Sequence, residues 1–322
     1  MGVHESRVLC AVVVTGAVLT AATPNFLTWR NLLNLLDGYA TPGIFAVGLL
    51  VVLISGGIDM SFTATAAVTQ YVMAKALVGW GGTWAEAFVL SASLGCVIGA
   101  VNGLLIHRLR VSAIIITIAT LNVLFGVLMF VTGGTYITDL PDWFTDGVTF
   151  LSFSDSDGNA FSVSLQTAAL VAAFAFTAFL LQKTALGRQV YALGGNPEAA
   201  GRIGINVGRL HVLIYGYMGA LAGIAGVTDA QLAQTVAPSA LVGTELDVLA
   251  AVLLGGASLT GGVGSVTGTF LGLALLAELQ NGMVLVGVSS YWARFLVGGV
   301  IILSSAATAL SQRTRAGVAF RV

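Results

Sequence analysis

Runs of about 20 apolar residues recur along this chain, each long enough to cross roughly 30 Å of hydrocarbon as a helix, with short polar stretches between them. The runs predict spans at residues 8–22, 39–55, 62–79, 84–106, 111–132, 163–182, 210–228, 263–286 and 291–310. One more, eighth in chain order, holds Glu245 and Asp247 near its start and ends at Gly255-Gly256. The pattern reads as an all-α membrane protein of about ten transmembrane helices, a single domain over residues 1–322. Residues 8–22 also resemble the apolar core of a cleaved signal peptide, with Ala21 and Ala22 small enough for cleavage. We read them as the first span, because a bundle that enters the membrane many times needs an anchor at its start.

Composition agrees with that pattern. Of the 322 residues, 57% are hydrophobic and 8% charged, against roughly 25% charged in a soluble domain. The net charge of −1 says little about partners, and nothing points to nucleic acid. The distribution of charge says more, since Lys and Arg near span ends stay cytoplasmic. With both termini inside, Arg7, Arg108, Arg110, Lys183, Arg188, Arg202, Arg209, Arg313, Arg315 and Arg321 all fall on the cytoplasmic side, leaving Arg30, Lys75 and Arg294 of the 13 elsewhere. Residues 183–209 are then a cytoplasmic loop. Residues 133–162, with Asp139, Asp142, Asp146, Asp155 and Asp157 and no Lys or Arg, form an acidic periplasmic loop.

Two Gly-containing stretches echo each other. Ser55-Gly56-Gly57-Ile58-Asp59-Met60-Ser61 lines up with Leu254-Gly255-Gly256-Ala257-Ser258-Leu259-Thr260, each at the inner end of a span. Transporters carry such internal repeats, with broken helices near the substrate path. Gly95, Gly99 and Gly103, like Gly264, Gly268 and Gly272, recur every four residues and form stripes where helix backbones can approach closely.

Asp59 is the sharpest intramembrane candidate, since a carboxylate at lipid depth is costly unless paired, hydrated or protonated. It fits both a cap on the helix that follows and a lining of the solute path. Hydroxyl and amide groups at Ser61, Thr63, Thr65, Thr69, Gln70, Asn102, Thr117, Thr120, Asn122 and Ser258 suit a neutral polyhydroxy solute and equally suit interhelical hydrogen bonding. Glu245 and Asp247 are placed at the outer boundary, as an outer gate or a contact for a periplasmic partner. Cys10 and Cys96 read as reduced, buried thiols. His4, His107 and His211 are scattered, so no metal site is expected. No G-x-x-x-x-G-K-[ST] phosphate loop occurs, so nucleotide hydrolysis would need another chain.

Residues 187–209 are the most polar interruption. Asn196 is a good N-cap, Pro197 fits the first helical position, Glu198 complements the helix N-terminus, and Gly204 can end the turn after Ala199, Ala200 and Ile203. A helix this short is marginal alone and needs something to pack against.

These residues resemble the membrane subunits of bacterial ABC importers for ribose and related monosaccharides, akin to branched-chain amino-acid permeases. The likeness runs from about Asn25 to Leu310 and is carried by GGIDMS at residues 56–61, NGLLIHRLRV at 102–111, GRQVYALGGNPEAAGRIGINV at 187–207 and ELDVLAAVLLGGASLTGGVGS at 245–265. Phe62 stands where the family has a small residue. The resemblance implies a permease without cofactors of its own, paired with a second permease copy or a homologue in the lipid of the bacterial inner membrane. It implies a periplasmic sugar-binding protein that delivers solute, and a cytoplasmic ABC ATPase subunit that binds ATP and Mg. It also implies that Gly195, Asn196, Pro197, Glu198, Ala199, Ala200, Arg202 and Ile203 form the coupling helix seated on that ATPase. The rival readings are an ion-coupled secondary transporter using Asp59 or Glu278, and a passive channel.

Overall fold

The computed structural model describes residues 2–154 and 160–289, together with 292, 295, 298 and 299, and over these residues the chain is helical almost throughout. In chain order the helices are α1 (Val3–Ala22), α2 (Trp29–Gly38), α3 (Ala40–Ile54), α4 (Phe62–Trp80), α5 (Trp84–Leu109), α6 (Ala113–Thr132) and the single turn α7 (Asp142–Thr145). A β-hairpin follows, β1 (Thr149–Ser154) and β2 (Ala160–Ser164), and then α8 (Leu165–Lys183), α9 (Ala185–Gly195), α10 (Pro197–Arg202), α11 (Val207–Ala233), α12 (Glu245–Leu254) and α13 (Val266–Leu285).

Six of these, α1, α5, α6, α8, α11 and α13, are long and apolar enough to cross a membrane, and α2 with α3 makes a seventh if that pair, bent by 50° at Tyr39, counts as one. The predicted ends fall close to the observed ones. One correction is needed. The eighth predicted span is a helix of only 10 residues, about 15 Å at 1.5 Å per residue and half of a hydrocarbon core. The predicted span at 291–310 and the arginines beyond it lie almost wholly outside the described residues. Helix α4 has the length but not the apolarity, because Thr63, Thr65, Thr69 and Gln70 are buried along it.

Helix α3 is the axis of the bundle. It is apolar all round, and every residue except Pro42 is buried, as expected of a helix with neighbours on all sides. Helix α11 packs along α5 backbone to backbone: a Cβ placed at Gly95 would lie 2.8 Å from the Gly219 carbonyl carbon, and one at Gly99 would lie 2.7 Å from that of Tyr215. Helix α1 rides on α13 at the periphery. The apolar surface is not all core. Cys10 and Cys96 are free thiols on exposed helix faces rather than buried ones, because a lipid-facing position is as apolar as a core one.

At the end of the bundle that carries residues 133–164, α7 seats Phe144 against Trp84, ring centroids 5.0 Å apart. The Trp143 indole donates to the Gly81 carbonyl at 3.1 Å. An isolated bridge, Ile137 to Val236, ties this loop to the stretch between α11 and α12.

Candidate permeation and coupling site

The site is built where α3 and α12 stop. Both helices end in the same turn. In the first, the Gly56 N–H donates to Leu53 and the Gly57 N–H to Val52; in the second, the Gly256 N–H donates to Leu253 and the Ala257 N–H to Val252. This is the αL closure that glycine favours, with φ of 86° at Gly56 and 93° at Gly256. The internal echo is therefore structural, but its register pairs Gly56 with Gly256, one residue away from the alignment by letter.

After the first turn the chain runs non-helically to α4, and Asp59 organises it. Asp59 Oδ1 accepts from both the N–H and the hydroxyl of Ser61, each at 2.7 Å. Asn102 on α5 donates to Ser61 Oγ at 2.9 Å, and Thr120 on α6 donates to Asn102 Oδ1 at 2.6 Å. Thr117, one turn earlier on α6, donates to the Ile58 carbonyl at 3.2 Å. Five of the sequence candidates, Asp59, Ser61, Asn102, Thr117 and Thr120, thus form one polar knot that fixes the start of α4 between α5 and α6. Tyr215 of α11, which sequence reasoning passed over, presses its hydroxyl against Gly57, has no hydrogen-bond partner among the described residues and is buried. Replacing Asp59 by Leu leaves two Ser61 donors unmatched at a cost of roughly 1–3 kcal/mol each, whereas Asn keeps an acceptor. D59L is expected to lower the thermal unfolding midpoint in detergent by several degrees and D59N by much less; equal loss in the two would show that the charge, not the acceptor, matters.

Thr63 and Glu245 meet across 182 residues: the Thr63 hydroxyl donates to Glu245 Oε1, which also accepts from the Gly243 N–H at 3.1 Å. Glu245 is buried, at the start of α12 and about 15 Å of helix from the Gly256 turn. Asp247, two residues further, lines a cavity of about 330 Å³ with Tyr39, Thr244 and Gln280. The remaining candidates sit apart. Asn122 is exposed and bonds back to Ile118 of its own helix at 2.8 Å, while Ser258 is in the loop after α12, paired with Thr260 at 2.8 Å.

The end of α3 meets the loop that follows α12 and the polar loop. The Gly262 N–H donates to the Ile54 carbonyl, the last of α3, at 2.8 Å. Gly194, near the end of α9, lies against both, so that a Cβ there would overlap the Ile54 oxygen and come within 2.6 Å of the Gly262 nitrogen. Two residues on, α10 begins as its sequence predicts. Asn196 Oδ1 caps the Ala199 N–H at 3.0 Å and Pro197 is at the first position. The helix closes with the Gly204 N–H to Gly201 and the Ile205 N–H to Ala200. Ala200 faces the bundle and is buried, while Gly195, Asn196, Pro197, Glu198, Ala199 and Arg202 are exposed and Ile203 is 75% exposed. Among the described residues, no group of three His, Cys, Asp or Glu side chains could hold a metal.

Comparison with known proteins gives this arrangement its setting. Residues 31–305 match the family model described as branched-chain amino acid transport system / permease component. The chain is 36% identical over 308 residues to the ribose import permease protein of Escherichia coli strain K12, covering 93% of this chain and 91% of that one. It is 31% identical over 306 residues to the L-arabinose ABC transporter permease protein of Azospirillum brasilense, covering 94% and 86%. To the xylose transport system permease protein of Haemophilus influenzae it is 30% identical over 350 residues, covering 92% and 93%. No solved structure matches. A family model that spans most of the chain, together with similarity at nearly full length, makes this multi-pass membrane protein a member of the branched-chain amino acid transport system permease family.

Proposed function

We propose that the chain is the permease subunit of an ATP-driven importer that carries a monosaccharide or related polyol across the bacterial inner membrane by alternating access. The relatives named for ribose, arabinose and xylose support the solute class. In this reading the bundle has about ten spans with both termini cytoplasmic. It works with a second permease copy or homologue, a periplasmic sugar-binding protein, and a cytoplasmic ATPase that supplies the ATP and Mg chemistry.

The observation that carries the proposal is α10. A six-residue helix is exposed on all but one residue yet fixed at its base through Gly194 to the end of α3 and to Gly262 in the loop between α12 and α13. An exposed helix joined to the end of one interrupted helix and to the loop that follows another is suited to take a push from a partner and deliver it to the solute path. In proteoliposomes holding the whole complex, uptake is expected to require internal ATP and to survive collapse of ion gradients. Uptake driven by an ion gradient without ATP would reverse the assignment.

Charge reversal tests the docking role. Arg202 and Glu198 are 3.8 Å apart and more than 80% exposed, and an exposed i,i+4 pair contributes only about 0.3–0.5 kcal/mol. E198R or R202E is therefore expected to leave the fold intact and yet cut ATPase co-purification and transport by about tenfold, as loss of an interface contact would. Unchanged association in both variants would remove α10 from the interface.

A further inference from the structure

We infer that the cavity between the α2–α3 bend, the start of α12 and α13 is a sugar-binding waypoint inside a single permease chain. The inference rests on the polyol-importer reading and locates its solute. The cavity measures about 330 Å³ and is lined by Tyr39, Thr244, Asp247 and Gln280 on a wall that includes Pro42 and Leu276. That is roughly eleven times the share of liquid volume held by one water, room for a five- or six-carbon sugar, and it lies within the size range of small-molecule sites.

Its polar groups match the solute. The Tyr39 hydroxyl donates to Gln280 Oε1 at 2.6 Å, which fixes the amide so that its NH₂ group is left with donors to offer and the tyrosine oxygen with lone pairs. Asp247 adds a carboxylate acceptor, and Thr244, whose hydroxyl donates to the Leu241 carbonyl at 2.8 Å, adds oxygen lone pairs. Donors and acceptors thus share the cavity with an apolar wall, as the hydroxyl groups and the C–H face of a sugar ring require. A divalent cation would find too few ligands: it takes several oxygen ligands with more than one carboxylate, Asp247 is the one carboxylate among the lining residues, and Glu245, two residues before it, is turned toward Thr63 and Gly243.

Position supports the same occupant. Tyr39 stands at the 50° break between α2 and α3, and Thr244 and Asp247 stand where α12 begins. Transporters place solute sites at such interrupted helices near mid-membrane. Along α12, Asp247 is about 12 Å from the Gly256 turn, and along α3 Tyr39 is about 22 Å from the Gly56 turn. The cavity therefore occupies the middle to outer part of a hydrocarbon core of about 30 Å.

The test uses the complete complex in proteoliposomes, loaded with ATP and offered a panel of radiolabelled pentoses with the binding protein present. D247N and Q280L are compared with the unaltered chain for sugar moved per ATP hydrolysed. Unmatched sugar hydroxyls are expected to lower that ratio by about tenfold, while binding-protein-stimulated ATP hydrolysis stays within about twofold of the original. An unchanged ratio overturns the site. A parallel loss of hydrolysis and transport also overturns it, since the residues would then serve assembly or coupling. If the unaltered complex moves no sugar with ATP, the importer reading fails and takes the site with it; sugar import by the original with unaffected variants fails the site alone.

Discussion

Gly194→Val is expected to abolish coupled transport, whereas Gly195→Ala, one residue away, is expected to be tolerated. The contrast comes from what each Cβ would meet. At Gly194 it would overlap the Ile54 carbonyl oxygen and lie 2.6 Å from the Gly262 nitrogen, while at Gly195 no atom of the described residues lies within 4 Å. Neither neighbour at Gly194 is the yielding tip of a side chain. Both belong to backbone already joined by the Gly262 to Ile54 hydrogen bond at 2.8 Å. A valine can be accommodated only by moving α9 away from the end of α3 and from the loop between α12 and α13, which separates α10 from the elements it is proposed to drive. The long apolar contacts of α3 with α8 and α11 are distant from this point, so the bundle should still insert and purify.

The readout is uptake together with ATP hydrolysis in the assembled complex. G194V should lose transport by at least about a hundredfold, the scale on which misplacing a working group by 1 Å is felt. G195A should remain within about twofold, since an exposed Gly to Ala change shifts stability by only about 1 kcal/mol. Normal transport by G194V would show that α10 communicates by another route.

How much of this was legible before the structure depends on the range of the interaction. The crossing helices and the cap of α10 were readable because a 20-residue apolar run and an Asn-Pro-Glu start are local signals. The side of a helix that faces lipid was not, since lipid and core favour the same residues; Cys10 and Cys96 were misplaced for that reason. Helix α2 escaped notice because Trp29–Gly38 is amphipathic rather than apolar. The ends of α12 were legible, Glu245 near its start and Gly255-Gly256 at its close, but so short an apolar stretch was counted as a full span.

Contacts distant in sequence were the least accessible. Asp59 with Ser61 could be inferred from spacing, but Thr63 with Glu245 could not, and neither could Tyr39 with Gln280. The repeat shows the same limit at close range. Matching letters pairs Gly56 with Gly255, whereas the left-handed turn falls on Gly56 and Gly256. Ser55 and Gly255 hold equivalent C-cap positions, so the αL residue, not the first glycine, sets the register.

Gly99→Leu is expected to prevent the permease from accumulating as a folded protein. The α5 and α11 backbones touch along four turns: Gly95 lies on Gly219, Gly99 on Tyr215 and Gly216, Gly103 on His211 and Val212, and Gly223 on Ser91. A Cβ at Gly99 would come within 2.7 Å of the Tyr215 carbonyl carbon and 3.2 Å of the Gly216 Cα, where carbon atoms at optimal separation stand about 3.5–4.0 Å apart. The helices would have to separate by roughly 1 Å even for alanine, and leucine adds three further carbons to the same gap. Separation at one point of a straight seam loosens its neighbours, and between helices in lipid no hydrophobic term restores them, because close packing is itself the attraction. The shift would also disturb Asn102, less than one turn further along α5, and with it the knot that holds Ser61 and Asp59 in place. Overpacking a buried site ordinarily costs about 1–3 kcal/mol; here the obstacle is backbone rather than side chain, so the upper end or more is expected, comparable with the whole stability of a marginal fold. Gly126→Leu on α6, where nothing lies within 4 Å of an added Cβ, supplies the control and should accumulate normally. The check is membrane yield and a single symmetric peak in size-exclusion chromatography for each variant; equal yields would mean that α5 and α11 tolerate a wider separation than their glycine seam indicates.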